Sequence, residues 1–304
     1  MIAFGSSISG AEAYRRYAEP GIRLAAEPAS VLYAYAAVET VGRTYNLILE
    51  AAAQRADLEA LVLVDPHTEI TDTHFCERVR EALGDPEVGI VGCGGATGVR
   101  SIAWWEGTVV SAPLIQHYGE HGEGELPAFS WTSRQPPPAE VDTVDGHLLV
   151  LAPPVVRELS FDEALFFSHG FDVDFCLQAR VTGYKVKVAD LRAIYHHPLE
   201  LVPNLDVWAQ AHMQVSEKWD EVLHGATVDE LAWKRRARRA EADREAARAM
   251  AFSKSLKRDA RVLELERSLA EKTSSLSWRV TAPLRALNRI RRQAMNSSSS
   301  RGPV

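Results

Sequence analysis

Across the first 200 residues, short β-rich runs alternate with segments of helical spacing, and no other feature narrows the fold as much. The strands read as Ile2 to Phe4, Val31 to Val38, Ala60 to Val64, Val88 to Val91 and His147 to Leu151, with helices over Thr44 to Gln54 and Asp72 to Leu83 between them. Such alternation predicts an α/β sheet covered by helices on both faces. Its ligand site should lie beyond the carboxyl ends of the strands, where the loops converge.

The chain is long and apolar enough for one large domain with an appendage, at 304 residues of which 46% are hydrophobic. Its opening, MIAFGSSISG, lacks the basic patch and apolar run of a secretory signal. No stretch approaches the roughly 18 apolar residues of a membrane span, so the expected location is the cytoplasm. Cys76, Cys93 and Cys176 are scattered, which suggests buried small apolar residues and neither a disulfide framework nor a zinc site.

Charge divides the chain in two. From residue 226 onward 19 Lys and Arg face 9 Asp and Glu, whereas residues 1–225 carry 15 against 32. An acidic body makes nucleic acid an unsuitable partner, and a basic tail points to a different solvent for that part. The boundaries follow: 1–225 as the α/β domain, 226–271 as a polar helical arm, and 272–304 as a basic amphipathic tail with a disordered end.

From Thr227 to about Glu271 the arm has no Pro or Gly and only a weak apolar seam at Leu256, Val262, Leu265 and Leu269. Two readings stand for it, local packing on the body or a dimerising coil that makes a homodimer. Beyond it, Pro283 suits a first helical turn, with Leu284, Leu287 and Ile290 on one side and Arg285, Arg289 and Arg292 around the other. Residues 276–292 therefore suit an anionic membrane surface, with Trp278 at headgroup level, or else dock on the acidic body. Gly119 to Pro138, rich in Gly, Glu and Pro, reads as a long surface excursion.

Four stretches could carry chemistry. In LVLVDPHTEI (61–70) an apolar strand ends in Asp65-Pro66-His67, which delivers either two ligands for Mg²⁺ or Mn²⁺ or a turn and a helix cap. In VDTVDGHLLVLAP (141–153) Gly146 would let a ligand approach the backbone and Asp145 could bind sugar hydroxyls, with a simple turn as the competing account. In HGFDVDFCLQARVTGYKV (169–186) Asp172 and Asp174 open a helix, where its dipole favours carboxylates. Residues two apart point to different sides, so Asp172 is the better candidate to face a cleft and Asp174 to cap or support. Finally, AIYHHP places His196 and His197 at a strand end as further metal-ligand candidates. Trp104 and Trp105, in SIAWWEG, read either as an apolar platform for an acceptor sugar or as core packing.

Taken together and in order, IAFGSS, RTYNLILEAA, LVLVDPHTEI, VGIVGCGGA, VDTVDGHLLV, FDEALFF, HGFDVDFCLQARVTGYKV and AIYHHP resemble the family 2-like nucleotide-sugar glycosyltransferases of the GT-A fold, particularly the streptomycin-biosynthesis-type branch. The resemblance covers roughly residues 1–200. It implies a Rossmann-like mixed α/β sheet flanked by helices, here followed by a long C-terminal helical extension. It implies that Asp172 is the catalytic base, with Phe171 where the family usually has Glu. It puts the metal motif on Asp65 and His67, with His67 in place of an acidic residue, and makes His196 or His197 the late histidine of the metal or diphosphate site. Ser6, Ser7, Glu39 and Asn46 match positions around the nucleotide.

The implied activity is inverting transfer of a sugar from a nucleotide diphosphate sugar to a hydroxyl of a glycan or lipid-linked acceptor, with Mn²⁺ or Mg²⁺ as cofactor. Cell-surface polysaccharide synthesis at the inner face of the membrane is the expected setting. The rival from another class is a glycan-binding or scaffolding protein that keeps the fold without turnover.

Overall fold

The computed structural model describes residues 1–38, 40–111, 115–116, 129–130, 138–165, 169–196, 202, 204–224 and 231–274. Glu39, His197, most of Gly119 to Pro138 and all of 276–292 lie outside the described residues.

The chain begins with β1 (Ile2–Ile8), α1 (Ala11–Ala13), a π-helical turn (Tyr14–Ala18), α2 (Glu19–Ala25), β2 (Val31–Ala36) and α3 (Val41–Ala53). It continues through β3 (Ala60–Val64), β4 (Thr68–Ile70), α4 (Phe75–Ala82), β5 (Val88–Gly92), β6 (Gly94–Thr97), a 3-10 turn (Trp104–Glu106) and β7 (Thr108–Ser111). Next come β8 (Ile115–Gln116), β9 (Phe129–Ser130), β10 (Ala139–Val141), β11 (Thr143–Val144), β12 (Leu148–Leu151), α5 (Pro153–Glu158) and α6 (Phe171–Val181). The last elements are β13 (Lys185–Val188), β14 (Ala193–Tyr195), α7 (Leu205–Lys218), α8 (Asp220–His224) and α9 (Leu231–Ser274).

Seven strands form the central sheet in the order β10-β13-β5-β12-β3-β1-β2. β1 is parallel to β2 and β3, and β5 is parallel to β13, while β12 runs antiparallel to both β3 and β5. The sheet is thus a mostly parallel α/β sheet with β12 reversed inside it and β10 antiparallel to β13 at its edge. Because both faces are covered, a central strand such as β3 is apolar throughout, and all five of its residues are buried. Alternate side chains feed two cores, with Ala3, Leu61, Leu63, Leu149 and Leu151 meeting Tyr45, Ile48 and Phe175 on one face. Ile2, Phe4, Val62, Val64, Leu148 and Val150 meet Ile22, Phe75 and Val79 on the other.

The second face closes on a glycine. α2 lies so close to β4 that a Cβ on Gly21 would stand 2.4 Å from the Ile70 backbone nitrogen. Backbone cannot yield as a side chain tip can, so Gly21→Ala is expected to destabilise the fold by about 2 kcal/mol, read as a lower urea midpoint at unchanged slope.

Residues Met1–Ser253 form one compact unit and Lys254–Val304 a second. Within the first, a third core joins Trp104, Val173, Leu177, Trp208, Ala209, Ala211 and Val215 to Ala242, Ala246 and Ala249 of α9. An alanine stripe at helical spacing therefore packs the early part of α9, and Arg248 adds an ion pair to Glu106 at 2.7 Å. In the second unit Val262, Leu263, Leu265 and Leu269 are exposed. Among the described residues no helix is long and apolar enough to cross a membrane.

Candidate active site

Two neighbouring strands each carry an Asp-x-His turn at the same edge of the sheet. After β3, Asp65 Oδ1 accepts the His67 backbone N–H at 2.8 Å and lies 3.1 Å from His67 Nδ1. Before β12, Asp145 Oδ1 accepts the His147 backbone N–H at 3.0 Å and lies 2.9 Å from His147 Nδ1. In each the carboxylate folds the chain back on itself, the habit that makes Asp a turn residue. The turns are joined, since the Asp65 N–H and the Thr68 hydroxyl both donate to the His147 carbonyl, at 2.9 and 3.0 Å.

Their histidines differ. His67 is half-exposed, whereas His147 is fully buried with its ring stacked on Tyr195 at 4.9 Å. Burial pulls the His147 pKa down, but the charge and hydrogen bond of Asp145 outweigh it and the Cys93 thiol adds to them, so the pKa rises to about 10. A pKa raised on folding contributes stability that is complete below the unfolded value and lost as pH rises through the folded one. Wild-type thermal stability is therefore expected to fall between pH 7 and pH 10.5, and His147→Gln to show a weaker fall over that range.

α6 starts from Gly170, whose φ of 81° is left-handed, and its first turn gives the two aspartates separate surroundings. Asp172 Oδ2 accepts the Gly146 N–H at 3.0 Å and Oδ1 accepts the Val173 N–H at 2.9 Å. Desolvation and the nearby Asp145 charge push its pKa up to about 7 against the pull of those backbone donors. Such a carboxyl is a stronger base than an ordinary one and is largely ionised just above neutrality. The contact with Gly146 leaves no room for a side chain, because a Cβ there would lie 2.5 Å from Phe171 Cζ and 3.0 Å from Asp172 Cβ. Asp174 is only 1% exposed and has different partners, accepting from Lys218, Trp219 and Gln178 side chains at 2.7 Å each.

Two phenols feel the charge of these carboxylates. Burial raises the Tyr195 pKa first, followed by the charges of Asp65, Asp145 and Asp172, and Tyr45 feels Asp65 and Asp172 in the same way. The charges of Asp65 and Asp172 thus reach both rings, and that of Asp145 reaches Tyr195. Sequence reasoning passed over both tyrosines and His147, although Tyr195 stands inside the quoted AIYHHP and His147 inside VDGHLLV.

The remaining residues fall as follows. Ser6 and Ser7 lie near the end of β1 with buried hydroxyls that have no hydrogen-bond partner among the described residues. Asn46 is spent on a loop, donating to the Phe161 carbonyl and Glu163 at 2.9 Å and accepting the Phe161 N–H at 2.8 Å. The His196 N–H donates to the His67 carbonyl at 2.8 Å, which sets it beside the Asp65 turn. Its ring nevertheless pairs with Glu69 at 2.8 Å and stacks on Tyr17 at 3.8 Å. Trp104, 5% exposed, is carried by the 3-10 turn into the third core. Trp105 stays half-buried, edge-on to it.

Among the described residues no three His, Cys, Asp or Glu groups stand together as a metal cage. Asp65 and His67 are adjacent, while the His196 ring is directed to Glu69. Two ligands suit a hard cation held mainly through substrate phosphates, not one caged by protein alone.

No family model matches the chain. The curated streptomycin biosynthesis protein StrF of Streptomyces griseus is 24% identical over 204 residues, which cover 65% of this chain and 66% of that protein. The chain thus spans slightly less than two thirds of the length of that relative. A mannosyltransferase, PcManGT from Pyrobaculum calidifontis, in complex with GDP-Man and Mn²⁺, superposes with a TM-score of 0.47 at 14% identity, over 94% of this chain and 83% of that one. GalNAc-T7 with UDP, GalNAc and Mn²⁺ gives 0.43 at 12% identity, over 80% and 54%. The fold and site define a mostly parallel α/β protein with Asp65, Asp145 and Asp172 gathered at the strand ends.

Proposed function

We propose that the chain is an inverting glycosyltransferase of the GT-A type, moving a sugar from a nucleotide diphosphate sugar to a hydroxyl of a glycan or lipid-linked acceptor. The observation that carries this reading is Asp172: a half-buried carboxylate, aimed by the Gly146 N–H and raised to about 7, at the strand ends where a substrate would lie. The chain's likeness to StrF agrees with it.

In the proposed reaction Asp172 takes the proton of the acceptor hydroxyl as that oxygen bonds to the anomeric carbon. The bond from that carbon to the diphosphate breaks on the opposite face, and the nucleoside diphosphate leaves with the electron pair. Holding both reactants in one cleft makes a single displacement sufficient. Ser6, Ser7 and Glu39 are assigned to the nucleotide side, and Asp145, Gly146 and Trp105 to the acceptor side. When bound, Mn²⁺ or Mg²⁺ would be held by Asp65 and His67 and would supply positive charge to the leaving diphosphate. The proposed setting is cell-surface polysaccharide synthesis at the inner face of the membrane, reached through 276–292, with α9 as the contact in a homodimer.

Purified protein, offered a panel of nucleotide diphosphate sugars with Mn²⁺, is expected to release nucleoside diphosphate from at least one donor and faster with an acceptor glycan. If no donor is bound or hydrolysed, the glycan-binding or scaffolding account replaces this one. Flotation with anionic vesicles, comparing the full chain with one ending at Glu271, tests the membrane contact, and equal binding removes it.

A further inference from the structure

α6 presents Asp172 from a first turn with no side-chain cap, because its N-cap residue is Gly170. A carboxylate in a first turn is ordinarily satisfied by the free backbone N–H groups there. Asp174 is satisfied otherwise. Its Oδ1 receives Lys218 Nζ and Trp219 Nε1, both at 2.7 Å, from the end of α7, and its Oδ2 receives Gln178 Nε2 at 2.7 Å.

Lys218 makes a second ion pair, to Asp162 Oδ2 at 2.7 Å, in the loop that leads toward α6. The same loop is gripped from the other side by Asn46 of α3, through both backbone groups of Phe161. One ammonium therefore ties together the approach loop, the first turn of α6 and the end of α7. Removing it would leave a carboxylate that is 1% exposed short of its cation, a state costly enough for the turn to move in search of water. Asp172 stands two residues earlier in that turn and depends on its position to meet the Gly146 N–H at 3.0 Å.

We infer that Lys218 is a positioning residue for Asp172, acting through Asp174 and Asp162 and touching neither substrate. The inference rests on the reading of Asp172 as the base, and its test separates the two.

In full-length protein, Lys218→Met is expected to lower kcat about tenfold while the donor KM stays within twofold, measured well below its own unfolding midpoint. Lys218→Arg, which restores the charge and the double contact, should recover at least half of the lost rate. Independently of activity, the Gly146 amide resonance in glycine-labelled wild-type protein should titrate with Asp172, and Lys218→Met should shift or abolish that titration. Asp162→Asn removes the more exposed arm of the bridge and should show the same signature in weaker form, which keeps the test open if Lys218→Met does not fold. An unchanged Gly146 titration in either folded variant overturns the inference, as does a rate loss that only follows the unfolded fraction. A moved titration in a protein that turns over no donor upholds the positioning role and sinks the transferase reading instead.

Discussion

Asp172→Asn should lower kcat by about 10³-fold, within the range assigned to a positioned general base, while donor affinity stays within about threefold. The amide has the shape of the carboxylate, and its oxygen can still accept the Gly146 N–H. It cannot take a proton from a hydroxyl. In wild type the rate should fall as pH drops through about 7, where Asp172 becomes protonated, and the residual rate of the variant should lack that limb. Stability moves the other way. A carboxyl whose pKa is raised on folding favours the folded state below its unfolded value and loses that contribution as pH rises through 7. Relative to wild type, the variant should therefore be more stable at pH 8 than at pH 5, measured by thermal unfolding. Loss of rate with unaltered or improved stability distinguishes a chemical role from a structural one.

Gly146→Ala should cost on the order of 10² in kcat, the size expected when a reacting group is displaced by about 1 Å. The added methyl would lie 2.5 Å from Phe171 Cζ and 3.0 Å from Asp172 Cβ, so the head of α6 must shift. Phe171 cannot swing away freely, being packed edge-on against Tyr45 at 5.9 Å and tilted against Phe161 at 6.1 Å. Trimming that ring should give ground: Gly146→Ala with Phe171→Leu is expected to recover part of the rate lost by Gly146→Ala alone. Steady-state kinetics on the four proteins of this cycle check it, and full additivity would show that the methyl acts elsewhere.

The sheet was legible because buried parallel strands declare themselves as apolar runs, as ALVLV does in β3. The packing of early α9 was not, since Ala242, Ala246 and Ala249 carry little hydrophobic signal and only the neighbouring Trp208 and Trp104 make them a core face. The separate fates of Asp172 and Asp174 were legible from helix geometry. Their partners were not, because Gly146 is 26 residues from Asp172 and Trp219 is 45 from Asp174. Local spacing cannot reveal bonds of that reach. Asn46 shows the converse, for a polar residue on an amphipathic helix suits a ligand contact, and the structure spends its amide on Phe161. Trp104 reads equally well as platform or core until the 3-10 turn fixes its direction.

Nucleoside diphosphate release by wild type and Asp172→Asn, run side by side on the donor panel with donor binding followed by thermal shift, tests the central claim most directly. Wild type should release nucleotide from at least one donor with an acid limb near pH 7, and the variant should bind that donor without releasing it. Release by the variant at the wild-type rate would contradict the assignment of Asp172 as the base.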